Sequence, residues 1–337
     1  MAHQFQSGVL TQGETAWHGL GTVLGGSCSA REGFFLANAD WRVLESPVYD
    51  GNLQPIEGHK HLTRSDNGFS FGIQSDTYKV IQNSELARVA EAFEHQAPLS
   101  AVCVLDKGRK VAFTSEIKSS SADILPGDTI KSYLVGVTSH DAKVAFQIIF
   151  SPVRVVCANT MAQALGVADK SDKNKRLKIR HTLNAQQLID RIPEILDMQN
   201  QKFSAGVAEL RAMAAKPCSM AEFRQYVSSV FASQLVGTIN DIRGDDKTAR
   251  AKTLEDLPLW EIVQNKFNGA AIGGDIAGVS GTYWAAYNSI TEFLTHDVGT
   301  AKNKLKAQSD RLESLYWGKS SDLLNVAHSV ALAATLA

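Results

Sequence analysis

Two strand-like runs in the middle of the chain constrain its fold more than any other feature. Ile130–Val137 and Val144–Phe150 are rich in β-branched and aromatic residues, and a short polar segment around His140-Asp141 separates them. This arrangement predicts a β-hairpin, because two hydrophobic strands joined by a short turn pair in an antiparallel fashion. We interpret His140-Asp141 as a turn whose side chains satisfy local backbone groups. Pro152 has no backbone N–H to donate, so we expect it to end the second strand.

A second hairpin is predicted directly upstream. Ala101–Leu105 and Lys110–Thr114 flank Asp106-Lys107-Gly108, where the glycine supplies the positive φ that such a turn requires. Three shorter strands are predicted earlier in the chain, at Trp41–Leu44, Phe69–Ile73 and Tyr78–Ile81. Successive hairpins of this kind predict an antiparallel β-meander and give no indication of a parallel Rossmann sheet.

Helical spacing of apolar residues dominates the second half of the chain. Ser219 and Glu222 form the Ser-x-x-Glu signature of a capping box. Thr282 is expected to cap another helix, which follows a glycine-rich stretch over residues 268–281. The spacing of apolar residues predicts further helices at Asn83–Phe93, Ala158–Leu165, Leu188–Leu196 and Trp260–Phe267.

The change from strands to helices divides the chain into parts. We predict an α+β domain over residues 1–166, a basic connector over residues 167–182 and a helical domain over residues 183–337. The predicted fold class is therefore α+β: an N-terminal antiparallel β-meander covered by helices, followed by a mostly helical C-terminal half.

Composition limits the classes of function that fit. The 34 basic and 35 acidic residues nearly cancel, so any basic surface must be local. The four cysteines are widely spaced, without metal-ligand spacing, which is typical of a reducing compartment. No apolar run approaches the roughly 18 residues of a membrane span, and the N-terminus lacks the pattern of a signal peptide. We expect a soluble cytoplasmic protein with no membrane association, no cofactor and no metal.

Five short motifs follow one another along the chain: Ala16–Thr22, Tyr78–Asn83, Thr138–Asp141, Pro152–Thr160 and Arg180–Thr182. Together they resemble a phage- and plasmid-like family of unknown function that is named for a Leu-Gly-Thr motif, here Leu20-Gly21-Thr22. The resemblance extends more weakly through Thr282–Asn288 and Thr295–Asp297. It implies a gene carried on mobile elements, and it brings no established activity.

The predicted connector has the highest density of positive charge. Between Asp169 and His181, six basic residues stand against two acidic ones, which leaves a formal charge of +4. The basic residues are Lys170, Lys173, Lys175, Arg176, Lys178 and Arg180. Such a segment can follow a phosphate backbone, since each neutralised phosphate releases counterions. The alternative is a solvated linker, because charge runs without interleaved aromatic residues are commonly linkers.

Five further basic residues lie at predicted hairpin tips and at a strand–helix junction. Lys107, Arg109 and Lys110 belong to one hairpin tip, Lys143 to the other, and Arg154 to the junction. In a meander, such tips and junctions can lie on one rim. With the connector they would form a basic groove for single-stranded nucleic acid. Scattered surface residues explain Lys107, Arg109 and Lys110 equally well, so the groove depends mainly on Arg154 and the connector.

Trp17 is an unusual residue for an N-terminal arm, because an indole there normally packs or stacks on something. We favour the interpretation that Trp17 ties the arm onto the core. Stacking on a nucleic-acid base is the alternative, and on that interpretation Trp17 belongs to the candidate binding residues.

No set of residues has the pattern of a metal or catalytic site. The histidines at 18, 140, 181 and 296 match no known ligand spacing, even with Asp141 or Asp297 added. Cys157 with His181 is the one conceivable thiol nucleophile, but a cysteine among valines and alanines is more often a buried apolar residue. The glycine-rich stretch lacks the Gly-Lys-Ser/Thr ending of a phosphate loop. Asn159-Thr160 either caps a helix, which we favour, or presents polar groups to a ligand.

Three functions remain after these exclusions. The first is a mobile-element protein that binds single-stranded DNA as a homo-oligomer, such as a strand-annealing recombination factor; its meander-then-helix order resembles ring-forming annealing proteins at the level of fold. The second is a non-enzymatic interaction factor, such as an inhibitor of host defence or a regulator of replication, that binds a host protein through the aromatic helix after Thr282. The third is an enzyme that uses the histidines and Asp141. We favour the first.

Overall fold

The computed structural model describes residues 5–10, 22–144, 146–154, 159–160, 177–178, 192–235, 253–298, 314–315 and 318–336, and the structural statements below concern these residues. Antiparallel sheets make up the N-terminal half and helices make up the C-terminal half. The predicted α+β fold class is confirmed.

The strands form a large sheet of eight strands and a small sheet of three. The large sheet contains β1 (Phe5–Leu10), β2 (Thr22–Val23), β6 (Leu99–Leu105), β7 (Lys110–Leu125), β8 (Asp128–Ser139), β9 (Gln147–Arg154), β10 (Asn159–Thr160) and β11 (Leu177–Lys178). Its order is β10-β9-β8-β7-β6-β1-β2, and β11 also pairs with β9. The small sheet contains β3 (Val43–Tyr49), β4 (Pro55–Arg64) and β5 (Ser70–Ser75) in that order. Only β1 and β2 pair in parallel among the described strands.

The helices lie mostly in the C-terminal half. They are α1 (Ala30–Leu36), α2 (Asn83–Phe93), α3 (Ile192–Ala215), α4 (Met220–Val230), α5 (Ala232–Leu235), α6 (Leu259–Asn265), α7 (Tyr283–Glu292) and α8 (Lys319–Leu336). A π-helical turn follows α6 at Lys266–Ala270, and another follows α7 at Phe293–Asp297. Turns of this kind are rare and often occur at functional sites.

Both predicted hairpins are present. Leu105 pairs with Lys110 across the first, and Val137 pairs with Gln147 across the second. A third hairpin, which the sequence patterns did not indicate, joins β7 to β8 at Pro126-Gly127, where Gly127 has a φ of 82°. Polar residues at 118–121 interrupt the apolar pattern of β7, so its full length could not be recognised from periodicity.

Two strand predictions are wrong. Tyr78–Ile81 forms no strand: the Tyr78 N–H closes a turn by donating to the Ser75 carbonyl at 2.9 Å, and the side chains of Tyr78 and Val80 pack against buried apolar residues. Pro152 does not end its strand, since β9 continues to Arg154 and Pro152 lies opposite Ser132. The other side of β9 is paired by described residues only at its two ends, so a missing N–H is tolerated there.

Two predicted helix starts are confirmed. Ser219 and Glu222 form the capping box, and the Thr282 hydroxyl accepts a hydrogen bond from the Ala285 N–H. Helix α2 is present, but its N-cap is Gln82, whereas Asn83, which has a residue type suited to the cap position, is its first helical residue. Of the helix predicted over Ala158–Leu165, only Asn159 and Thr160 are described, and they pair with β9 as a strand; the rest of that prediction lies outside the described residues.

Buried apolar side chains form two clusters. In the first, α1 and α2 cover one face of the large sheet, and Trp41, which precedes β3, and Leu62 of β4 also belong to the cluster. In the second, the helices of the C-terminal half pack around α7. Each cluster takes side chains from the other half of the chain: Leu196 of α3 joins the first, and Ile124 and Ile130 of the large sheet join the second. The two halves therefore share their cores.

Candidate nucleic-acid interface at the hairpin rim

Three turns meet at one end of the large sheet. They are the β4–β5 turn (residues 65–69), the β6–β7 tip (residues 106–109) and the β8–β9 tip (residues 140–144), which together we call the hairpin rim. The His140 N–H donates to the Arg109 carbonyl at 2.8 Å, and Arg64 Nη1 donates to the Lys107 carbonyl at 3.3 Å. The sequence-based expectation that the hairpin tips converge is therefore correct.

An aromatic ring flanked by two cations lies on the rim. The Phe69 ring is half-buried, with Lys107 Nζ 5.3 Å and Arg109 Cζ 4.8 Å from its centroid. Both distances are within the range of a cation–π interaction. Sequence reasoning identified Lys107 and Arg109 but missed Phe69. The Asp-Asn-Gly turn signal before it marks a turn, yet it does not indicate a contact with residues almost forty positions later.

The β6–β7 tip is held in an unusual backbone conformation. Asp106, Lys107 and Gly108 have φ values of 47°, 58° and 92°, which are unfavourable for the first two residues. A Cβ on Gly108 would lie 2.8 Å from the Trp41 ring, so the glycine is needed for both its φ and its contact. Strained backbone of this kind persists only where the surrounding structure fixes it, and it is concentrated at functional sites.

Arg64 is buried next to the β6–β7 tip and holds its backbone in place. Its side chain is 2% exposed and lies 4.4 Å over the Trp41 ring. Its Nε and Nη2 donate to the two carboxylate oxygens of Asp66 at 2.7 and 2.9 Å. A bidentate ion pair of this type fixes the orientation of the guanidinium as well as its distance from the carboxylate. Arg64 is therefore part of the frame that positions Lys107, and its guanidinium is not presented to solvent.

His140 lies beneath the rim and is 1% exposed. Asn83 Nδ2 donates to the Trp41 carbonyl at 3.2 Å, so Asn83 Oδ1 faces His140 and accepts a hydrogen bond from its Nε2–H at 2.9 Å. Burial lowers the pKa of His140 to about 3; the Asp141 carboxylate partly offsets this effect and the Arg64 guanidinium adds to it. The imidazole is therefore neutral at physiological pH and holds the tip in place through Asn83.

This burial predicts acid sensitivity. In the unfolded chain His140 takes up a proton near pH 6.5, whereas in the folded protein it stays neutral down to about pH 3. Between these values the unfolded state binds more protons, so the unfolding free energy falls as pH is lowered from 7 to 4. The H140Q variant keeps a donor towards Asn83 but cannot take up this proton. We therefore expect its unfolding free energy to fall less steeply with pH than that of the wild type, with slopes that differ by up to about 1.4 kcal/mol per pH unit. Urea denaturation across this range measures both slopes.

The matched control is H95Q, which changes an exposed histidine. Its pH slope should equal that of the wild type. If H140Q and H95Q have the same slope, His140 is not the buried neutral group described above.

The remaining predicted binding residues fall into three groups. Lys143 is exposed on the rim, 3.5 Å from Asp141, and Lys178 lies on β11 opposite Gln147, at the end of β9 next to the rim. Lys110 starts β7 and is 8% exposed, so it offers little surface to a ligand. Lys170, Lys173, Lys175, Arg176, Arg180 and Trp17 lie outside the described residues.

The charges of the rim largely balance. Within the rim, the basic residues at 107, 109 and 143 balance the aspartates at 66, 106 and 141, and the buried Arg64 next to it brings the net charge to +1. Each aspartate is within ion-pair distance of one of these basic residues. The rim therefore combines an aromatic ring with local cations, and strong positive potential must come from elsewhere, such as the connector.

Arg154 contradicts its predicted place in a basic groove. It lies at the opposite end of β9 from the rim, with a side chain that is 0% exposed. Its Nε and Nη2 each donate to Asp128 at 2.6 Å, and Nη1 and Nη2 also donate to the carbonyls of Ile272 and Gly273. A guanidinium that is enclosed in this way has no surface to offer to a phosphate.

The glycine-rich stretch closes over this ion pair. Trp284 Nε1 donates to Asp128 at 2.8 Å, and the Ile272 N–H donates to Glu292 at 3.0 Å. Lys266 Nζ in turn lies 2.5 Å from Glu292. A cavity of about 10 Å³ beside these charges has room for about one water. Residues 268–281 thus provide backbone caps for buried charges that join the two halves.

Removing the Arg154 guanidinium should lower the free energy of unfolding. R154M leaves Asp128 buried without its main partner, so we expect a loss of about 3–5 kcal/mol of unfolding free energy. The double variant D128N/R154M also removes the unpaired charge and should recover part of that loss. Urea denaturation of both variants measures the difference. A double variant that is less stable than R154M would contradict this account.

The fold and the rim define an α+β protein built on an antiparallel meander whose hairpin tips share one surface. The chain belongs to the family described as Domain of unknown function (DUF932), whose model matches residues 70–316. The matched range contains both hairpin tips and the buried Arg154–Asp128 pair, whereas the Leu-Gly-Thr motif at residues 20–22 lies before it. No curated protein and no solved structure matches the chain.

Two structural features are absent from the described residues. None of their helices combines the length and apolar character required to cross a bilayer. Among the same residues, no three histidine, cysteine, aspartate or glutamate side chains come together in a way that could hold a metal ion. Of the histidines considered as ligands, His18 and His181 lie outside the described residues.

Proposed function

We propose that this protein binds single-stranded nucleic acid along the hairpin rim, as a strand-annealing recombination factor of a phage or plasmid. The observation that carries the proposal is the Phe69 ring flanked by Lys107 and Arg109 on an exposed tip. Proteins that bind single strands without sequence preference combine aromatic rings, on which bases stack, with cations that follow the backbone.

The connector supplies the charge that the rim lacks. Its formal +4 over residues 169–181 is the strongest local charge in the sequence, and Lys178 on β11 lies at the rim end of β9. A strand that crosses the rim would therefore pass close to the point where the connector meets the sheet. Neutralising phosphates at such a place gives affinity that falls steeply with salt.

Annealing also requires several copies of the site. The three turns of the rim span few nucleotides, whereas pairing of two strands needs a longer contact. We therefore propose that the protein acts as a homo-oligomer whose rims together form one track. Cooperative binding along a strand is the normal behaviour of proteins with such shallow sites.

One observation favours the alternative of a protein-interaction factor. Leu44, Tyr49 and Ile73 of the small sheet are 48%, 55% and 54% exposed. Exposed apolar residues on one sheet are typical of a surface that binds another protein. The aromatic helix first considered for this role is unsuitable, because every residue of α7 is buried. An apolar interface depends weakly on salt, and this property distinguishes it from a nucleic-acid site.

The double variant K107S/R109S tests the proposed function. At about 50 mM salt we expect it to bind a labelled single strand at least about tenfold more weakly than the wild type. The slope of log K against log salt should become shallower by about 1.4, because two phosphate contacts are lost. Fluorescence anisotropy at several salt concentrations measures both quantities, with the mass in solution recorded alongside.

The control R31S/K319S also removes one arginine and one lysine, but from exposed positions on α1 and α8. It should bind like the wild type. Equal losses in both double variants would show that net charge, and not the rim, determines binding. No binding by the wild type at low salt would exclude the proposed function.

A further inference from the structure

Phe69 is held in a fixed position, and only part of its side chain remains exposed. Its carbonyl accepts from the Arg64 N–H at 2.9 Å, and its own N–H donates to Asn67 Oδ1 at 3.0 Å. The ring meets Phe71 edge-on, with centroids 5.7 Å apart and planes at 77°. Phe71 is 4% exposed and belongs to the core, so this nearly perpendicular contact sets the orientation of the Phe69 ring. A ring fixed in this way loses little conformational entropy when a ligand stacks on it.

The groups around the ring match the parts of a nucleotide. Arg109 has a planar guanidinium, which can stack on a base or pair with a phosphate, and Lys107, two residues earlier on the same tip, is an exposed ammonium. Both approach within about 5 Å of the same ring. Because both cations lie over the ring, a base that stacks on Phe69 displaces them from the ring face, and their charges can then pair with the phosphates next to that base.

From this geometry we infer that Phe69 is the stacking platform for one unpaired nucleobase, with Lys107 and Arg109 holding the adjoining phosphates. The inference rests on the proposed function and specifies its substrate. A phenyl ring has no polar atom to read a base edge, so the subsite accepts any base. Duplex DNA is excluded, because the faces of its bases are already stacked on one another.

The test compares two strands of equal length and equal phosphate count, one of them without bases over its central part. Wild-type protein should bind the intact strand roughly 5- to 150-fold more tightly than the strand without bases. F69L keeps an apolar side chain but lacks a ring, so it should bind both strands with nearly equal affinity, close to that of wild-type protein for the base-free strand. F69Y keeps the ring and should behave like the wild type. Anisotropy titrations at one salt concentration measure all six affinities.

The outcomes separate this inference from the proposed function. If wild-type protein binds both strands equally well, and F69L does not weaken binding, the protein binds nucleic acid through phosphates alone and the base subsite is overturned. If F69Y loses the preference for bases as completely as F69L, the ring is not the platform. If wild-type protein binds neither strand, the proposed function fails and the inference fails with it.

Discussion

The ion pair between Arg154 and Asp128 is the constraint on which the arrangement of the two halves depends. Both side chains are fully buried, and two charges removed from water are tolerated only when their partners are complete. Here the partners come from three places: strand β8, strand β9, and the segment from Ile272 to Trp284 of the helical half. Neither half could bury its part of this network alone. The pair therefore fixes how the sheet and the helices meet.

This arrangement leaves the other end of the sheet available for a ligand. Strand β9 has eight residues and spans about 23 Å, with Arg154 at one end and Gln147 at the rim end. At the first end the charges are enclosed and balanced. At the second end, cations and an aromatic ring lie at the surface on turns whose backbone is held by Arg64, Trp41 and His140. Stability and the proposed binding are thus located at opposite ends of the same strands.

Local signals made much of the fold predictable. Gly108 marked one hairpin, the polar residues at 140–143 marked another, and Ser219 and Thr282 marked helix starts, because turns and caps depend on residues close in sequence. The convergence of the tips also followed, since alternate turns of a meander lie at the same end of the sheet. The prediction from Pro152 was wrong because a proline destabilises a strand only where its missing N–H would have paired with a neighbouring strand. The sequence does not show which positions of β9 are paired in this way.

The candidate site was predictable only in part, because its contacts join residues that are distant in sequence. Lys107 and Arg109 could be assigned to a tip, but the contact with Phe69 joins separate hairpins of different sheets. Arg154 was expected at the surface because its partners, Asp128 and residues 272–273, are distant in sequence. An arginine in isolation gives no sign of whether a carboxylate will enclose it.

The most direct test of the central claim is to map the bound strand on the protein. A single strand that carries a photoreactive base can be crosslinked to the wild-type protein, and the modified residues located by mass spectrometry. We expect adducts on Phe69 and on the tip residues at 106–109 and 140–144. Adducts confined to the helical half, on a protein that binds the strand, would contradict the assignment of the rim as the binding surface.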